Sequence, residues 1–273
     1  MLDKFIHVNS KGETLDLLAL GIYANENELR NYEWTVNTSN DKIVGFKKGV
    51  VKKSVPFVFF VDKERAAEIK NKFYEHFDVD VLTARAGHFI INGYKYTCYL
   101  TKSVKSDYLT SKRQLKLTAE VTTDKPYWCK ETLRTIDFST TQTEGKNSLT
   151  YPFTYPFTYT NEKVSKIVNE DFIESDAIIR MYGAAEDPLV KINDNVYQIN
   201  TSLGSTEYLE INTSEKTIVK YDNKGNATNL FHLRSKNGDS FKKVPPGALT
   251  VSANGNYRVD VVLIEKRGEP RWV

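Results

Sequence analysis

The sequence predicts a mostly β chain: two β-sandwich-like domains, the first carrying one helix. Three observations predict it. Residues that suit a pleated, half-buried surface are abundant, with 16 Tyr and 14 Phe among 273 residues besides many Val, Ile and Thr. Short alternating runs recur through the second half at intervals of about ten residues, separated by turn signals. Only one stretch has convincing helical periodicity.

The first domain is read over residues 1–138. IVGFKKGVVKKSVPFVFFVD holds two strand-like pieces, 43–46 and 57–61, with Pro56 just before the second at a tolerated position. The helix follows at about 62–77. Asp62 is its candidate N-cap, and Ala66, Ile69, Phe73 and Phe77 form one apolar stripe. His76, beside the end of that stripe, is expected at the surface or as a cap. HFIINGYKYTCYL then carries Asn92-Gly93 between two alternating runs, a hairpin signal. Tyr94, Tyr96, Cys98 and Leu100 share one face. In RQLKLTAEVTTDKPYW, Leu115, Leu117, Ala119 and Val121 point inward, and the strand stops at Asp124-Lys125-Pro126-Tyr127-Trp128.

Residues 139–148 turn polar and are the expected linker. Over 149–273 no helix pattern is strong. Turn signals at Asp194-Asn195, Asp222-Asn223-Lys224-Gly225, Asn237-Gly238 and Asn254-Gly255 punctuate short strands, of which YLEIN, TIVKYD, NLFHLR and YRVDVVLIEKR are the clearest. The spacing argues for a sandwich or jelly roll.

At the start of this domain residues 150–160 read TYPFTYPFTYT. In a strand, Tyr151, Phe153, Tyr155, Phe157 and Tyr159 would line one face. Pro152 and Pro156 would strip two donors from one backbone edge. Such a strand pairs on one side only, and its five rings need cover. The cover is the domain core or the first domain, a ligand stacked on the rings, or another subunit.

Composition excludes several function classes. Residues 1–138 hold 22 Lys and Arg against 18 Asp and Glu, and residues 139–273 hold 16 against 17. Neither half carries a nucleic-acid footprint. No apolar run reaches membrane-spanning length, and MLDKFIHVNS carries Asp3 and Lys4 in place of a signal segment, so synthesis in the cytoplasm is expected. Cys98 and Cys129 fit neither a disulfide framework nor a zinc pattern and read as buried free thiols. His7, His76, His88 and His232 have no metal-ligand spacing. There is no nucleophile elbow, phosphate loop or dinucleotide fingerprint. The run Asp222 to Asn226 lacks the distal Glu of a calcium loop and reads as a hairpin turn. No catalytic, cofactor or metal residue is expected, and the chain is not expected to be an enzyme.

Three stretches, taken in order and spacing, carry a family resemblance. They are VPFVFFVDKERAAEIKNKF; then INGYKYTCYL with RQLKLTAEVTTDKPYWCKE; then the C-terminal half with GAAEDPLVKINDNVYQI, YLEINTSEKTIV, the Val244-Pro245-Pro246-Gly247 turn and the end Gly268-Glu269-Pro270-Arg271-Trp272. Together they resemble the distal tail protein of long-tailed bacteriophages and prophages, over nearly the whole chain. The resemblance implies an N-terminal sandwich with a helix, assembling as a hexameric ring, and a C-terminal galectin-like sandwich outside it. It implies a virion structural role at the tail tip. The partners implied are the chain itself, the tail tube protein, a tail-tip or tail-associated lysin protein and, in many members, a receptor-binding protein. DNA would be met only in passing through the channel.

The candidate interface residues are Lys47, Lys48, Lys52 and Lys53, together with the Tyr151, Phe153, Tyr155, Phe157 and Tyr159 face. The plain alternative for the lysines is a solvated hairpin arm. A carbohydrate-binding module for the bacterial envelope is the competing function, with Trp272 or the same aromatic face as the sugar contact.

Overall fold

The computed structural model describes residues 5–24, 27–62, 64–105, 114–139 and 163–272. The aromatic repeat at 151–159 and linker residues 140–148 lie outside the described residues. The chain divides into two compact units, Met1–Lys130 with Lys266–Val273, and Glu131–Glu265. The division falls inside a strand and returns the last eight residues to the first unit, whereas the sequence placed the domains at 1–138 and 149–273.

The first unit contains β1 (Ile6–Val8), β2 (Thr14–Asp16), β3 (Ile22–Tyr23), β4 (Thr35–Ser39), β5 (Lys42–Lys47), β6 (Val51–Phe60), α1 (Ala66–Leu82), β7 (Gly87–Ile91), β8 (Tyr94–Lys105), β9 (Gln114–Thr123) and the start of β10 (Trp128–Asp137). One sheet runs β2-β1-β7-β8-β10. The far half of β8 leaves it, across a register shift between Leu100 and Lys102, to pair with β9, which pairs with β6 and so with β3. The β7–β8 turn has Asn92 at φ 51° and Gly93 at φ 80°, the positive pair a two-residue hairpin demands. Phe73 of α1 packs on Phe57, Phe59 and Phe77 at centroid distances of 5.3, 5.1 and 4.8 Å, closing the core over both sheets.

Three local expectations change. The helix starts at Ala66, with Arg65 at the N-cap position and no side-chain cap, and runs to Leu82. Asp62 instead gives its carbonyl to Arg65 N–H at 3.1 Å. The helix outlasts the apolar stripe because His76 and Asp80 continue its buried face with polar side chains. His76 is therefore buried, its Nε2 3.0 Å from His7 Nδ1, and is not a surface residue. Pro56 lies within β6, opposite Thr118 of β9. It is tolerated there because β3, on the other side, pairs only as far as Val58. Cys98 is buried and Cys129 partly buried, and neither is in a disulfide.

The second unit takes the rest of β10 and β11 (Lys163–Asn169), β12 (Asp176–Tyr182), β13 (Ala185–Glu186), β14 (Leu189–Ile192), β15 (Asn195–Gln198), β16 (Ser202–Leu203), β17 (Tyr208–Asn212), β18 (Thr217–Tyr221), β19 (Ala227–Asn229), β20 (Gly247–Ala253) and β21 (Arg258–Arg267). One sheet runs β19-β18-β17-β12-β21-β10 and the other β11-β20-β14-β15. Ile179, Leu209, Ile211 and Ile218 from the first meet Val190, Ile192, Leu249 and Val251 from the second in one buried cluster. This is a sandwich of antiparallel sheets, and the chain is mostly β. The stretch NLFHLR is not a strand. β19 ends at Asn229, and Phe231–Leu233 form a 3-10 turn that packs Leu230 inward, with Leu230 N–H on Ile218 O.

Candidate subunit-interaction surface

β4 and β5 form a two-stranded hairpin that, among the described residues, pairs with no other strand. Its turn residues, Asn40 and Asp41, have φ 49° and 58°, which Asn and Asp tolerate better than other side chains. Val36 stands opposite Phe46, and Thr38 opposite Ile43. The register shift after Asn37 leaves Val44 as the extra residue. Trp34 meets the Phe46 ring at 6.4 Å. Phe46 is 59% exposed, Ile43 62% and Val44 65%, and Val36 and the nearby Val50 are exposed too. An isolated two-stranded hairpin is marginal in water. This one carries its apolar side chains into solvent, so its stability and its solubility both call for cover.

The base of the hairpin is fixed by Lys48. Its Nζ donates to Pro126 O at 3.1 Å and sits over the rings of Trp34, Tyr127 and Tyr32 at 4.5, 4.8 and 5.3 Å. Burial lowers its pKa. Beside it Tyr32, Glu33, Val50, Lys52 and Pro126 line a shallow hollow of 470 Å³.

The four lysines of the predicted patch separate into different roles. Lys47 is exposed at the end of β5. Lys52 is exposed and pairs with Glu120 at 2.9 Å. Lys53 is buried: its Nζ donates to Leu29 O at 2.9 Å and Asn31 O at 2.6 Å and lies 4.8 Å from the Tyr96 ring. Burial first, then Lys48, pulls its pKa down to about 8. Lys48 and Lys53 thus bond within the first unit itself, and Lys53 is buried there. The signal was present in the sequence. Lys53 shares the parity of Val55, Phe57 and Phe59, which face the core.

Trp272 is 73% exposed, with the Arg30 guanidinium 3.9 Å from its ring. Arg30 also donates to Pro270 O at 3.1 Å and approaches Glu269 at 3.4 Å, while Asn92 Nδ2 donates to Arg271 O. The terminal segment is thereby strapped to the first unit. The apolar hairpin face was not singled out from sequence. Its signal was the Asn40-Asp41 turn between two strand-like runs.

Elsewhere the unit holds a buried polar cluster. Asn9, His7, His76 and Asp80 lie together, with Ser10 N–H donating to Asp80 Oδ1 at 2.6 Å. Gly87 is obligatory beside it, since a Cβ there would collide with the Asp80 carboxylate and Val8 O. Among the described residues no group of three or more His, Cys, Asp or Glu could hold a metal ion.

No family model matches the chain, and no curated protein does. Solved structures do. The Dit protein of phage SPP1, described as a paradigm of the hub adsorption apparatus in phages infecting Gram-positive bacteria, aligns over 98% of this chain and 100% of its own, with TM-score 0.58 and 10% identity. A chain of the phage P2 baseplate in its activated conformation with calcium aligns over 99% and 100%, with TM-score 0.57 and 12% identity. A chain of the same baseplate with strontium gives TM-score 0.56 at 12% identity and the same coverage. Over nearly its full length, the chain has the fold of these phage distal tail and baseplate proteins.

Proposed function

We propose that the chain is a structural virion protein of a phage or prophage tail tip, a homo-hexameric ring hub joining the tail tube to the tail-tip and receptor-binding apparatus. The observation that carries the reading is the end-to-end match of fold, 98% of this chain on 100% of the SPP1 protein. The hairpin supports it. A ring is built from heterologous contacts, in which a patch on one copy meets a different patch on the next. The apolar face of Val36, Ile43, Val44 and Phe46 is the first patch, and a second copy of this chain is its occupant. The role asks for rigid sheets and interfaces, and it asks for no active site.

Light scattering on the size-separated protein, alone and with its tail-tube partner, tests this. Six copies of the 31.3 kDa chain give a particle of about 188 kDa. Ile43→Ser with Phe46→Ser is expected to stop assembly while leaving each copy folded. A 31.3 kDa species that persists at high concentration with the partner present overturns the reading.

A further inference from the structure

The second unit has a surface away from the β4–β5 hairpin on which the ring reading rests. On the β21-β12-β17-β18 sheet the odd-numbered side chains of β12, β17 and β21 enter the core, so Arg258, Tyr182, Tyr208 and Tyr221 face outward. The register aligns them across four strands, with Arg258 opposite Tyr182, Tyr182 opposite Tyr208, and Tyr208 opposite Tyr221. The rings stack, with centroids 5.3 and 4.8 Å apart and planes 30° and 14° from parallel. The Arg258 guanidinium lies 5.2 Å over Tyr182 at one end. At the other, the partner of Tyr221 is Ala227, too small to extend the row. A second row runs beside it through Asp260, Arg180, Glu210 and Val219.

The charges of these rows are held and neutralised in place. Arg180 Nε donates to Glu210 at 2.7 Å. Arg258 makes a two-bond contact with Asp260 at 3.1 and 2.9 Å, and Thr135 donates to Asp260 at 2.8 Å. That pattern discriminates between occupants. Nucleic acid wants unpaired cations, and both arginines here are paired. A protein interface core is depleted of charge, whereas three of the four residues of the second row are charged. A bilayer wants apolar surface. A neutral polyhydroxyl chain wants what is present: fixed donors and acceptors beside amphipathic rings that lose little entropy on binding. The 4.8 to 5.3 Å rung spacing is close to the advance per sugar along an extended glycan.

We propose that the Tyr182-Tyr208-Tyr221 row with Arg180 and Glu210 is a binding strip for a neutral glycan. The chain runs across the strands, its ring hydroxyls bonded by Arg180 and Glu210, and its terminal sugar lies against the outer face of Tyr221. The strip stands apart from the ring reading, because a single copy contains all of it.

Titration calorimetry of the full chain with cellohexaose, laminarihexaose, maltohexaose and chitohexaose tests it, with heparin as the polyanion control. At least one hexaose is expected to bind saturably. Tyr208→Ala and the milder Glu210→Gln are each expected to weaken it about tenfold, the equivalent of one lost hydrogen bond to a charged group or of lost ring contact. Tyr208→Phe, which keeps the stack, is expected to retain most of the affinity. Silence with all four sugars, binding to heparin alone, or binding abolished by Trp272→Ala and untouched by Glu210→Gln would each overturn the proposal.

Discussion

Two hairpins of this molecule have similar lengths and opposite habits. β17–β18 turns Leu209, Ile211 and Ile218 into a sandwich core and shows solvent a ladder of Tyr208, Tyr221 and Glu210. β4–β5 turns Val36, Ile43, Val44 and Phe46 to solvent, and its other face is Thr35, Asn37, Ser39 and Lys42. The first hairpin is finished within its own chain. The second is finished only when something covers it. Apolar side chains scattered singly over a surface need no explanation, but a contiguous face on an unsupported hairpin does. The difference separates residues that close this chain's own core from residues that the proposed contact between copies would cover.

The comparison breaks most sharply on a pair of substitutions. Leu209→Ala should cost about 2–5 kcal/mol by opening a cavity in the second unit. Phe46→Ser, at a side chain of similar bulk, should stay within about 0.5 kcal/mol, because the ring it removes is already more than half exposed. Urea melts of the unassembled chain measure both. If Phe46→Ser destabilises a single copy by as much as Leu209→Ala, the hairpin is part of that copy's core and the contrast collapses.

Much of this was legible locally. Asn92-Gly93 announced a hairpin, and the alternation from Leu115 to Val121 announced the inward face of β9, because each signal lies within ten residues. What failed was whatever depended on a distant partner. His76 looked terminal to its helix because its partner, His7, is 69 positions away. The tyrosine row needed the register of four strands, which alternation alone does not supply. The 3-10 turn after Asn229 hid in a run that is apolar enough for a strand.

Acid should sharpen the contrast between the units. Among the described residues the buried histidines, His7 and His76, both belong to the first unit, and His232 in the second is exposed. Burial depresses both, with His76 and His88 adding to the effect on His7; Asp80, Glu13 and a hydrogen bond to the His7 backbone oppose it on His76, where Lys72 assists. The hydrogen bond also resists a second proton, since His7 Nδ1 and His76 Nε2 at 3.0 Å share one between them. With folded pKa values below 6.5, the unfolded chain binds more protons as pH falls through that value. Stability therefore declines below it, by up to about 1.4 kcal/mol per pH unit for each histidine, until the folded pKa is reached. Calorimetry between pH 7 and 5 should show the first unit's transition moving down ahead of the second's. Replacing both histidines with Gln should flatten that dependence.

The smallest effect should distinguish adjacent side chains of a single strand. Lys52 and Lys53 stand opposite Thr122 and Val121 of β9, one facing out and one in. Lys52 meets Glu120 in solvent, where the long side chains lose entropy to hold the pair and salt screens it. Lys52→Ala should leave the melting temperature unchanged at 0.15 M salt. Lys53→Met keeps the aliphatic stem under Tyr96 but takes the donor from Leu29 O and Asn31 O. Leu29 O retains the Trp128 indole N–H at 3.1 Å, so Asn31 O bears most of the loss, about 1–3 kcal/mol. Equal melting curves for the two variants would mean that the buried ammonium contributes nothing to the loop it ties. The segment leading into the β4–β5 hairpin would then be held by its other ties, the Trp128 indole on Leu29 O and Lys48 with its three rings among them.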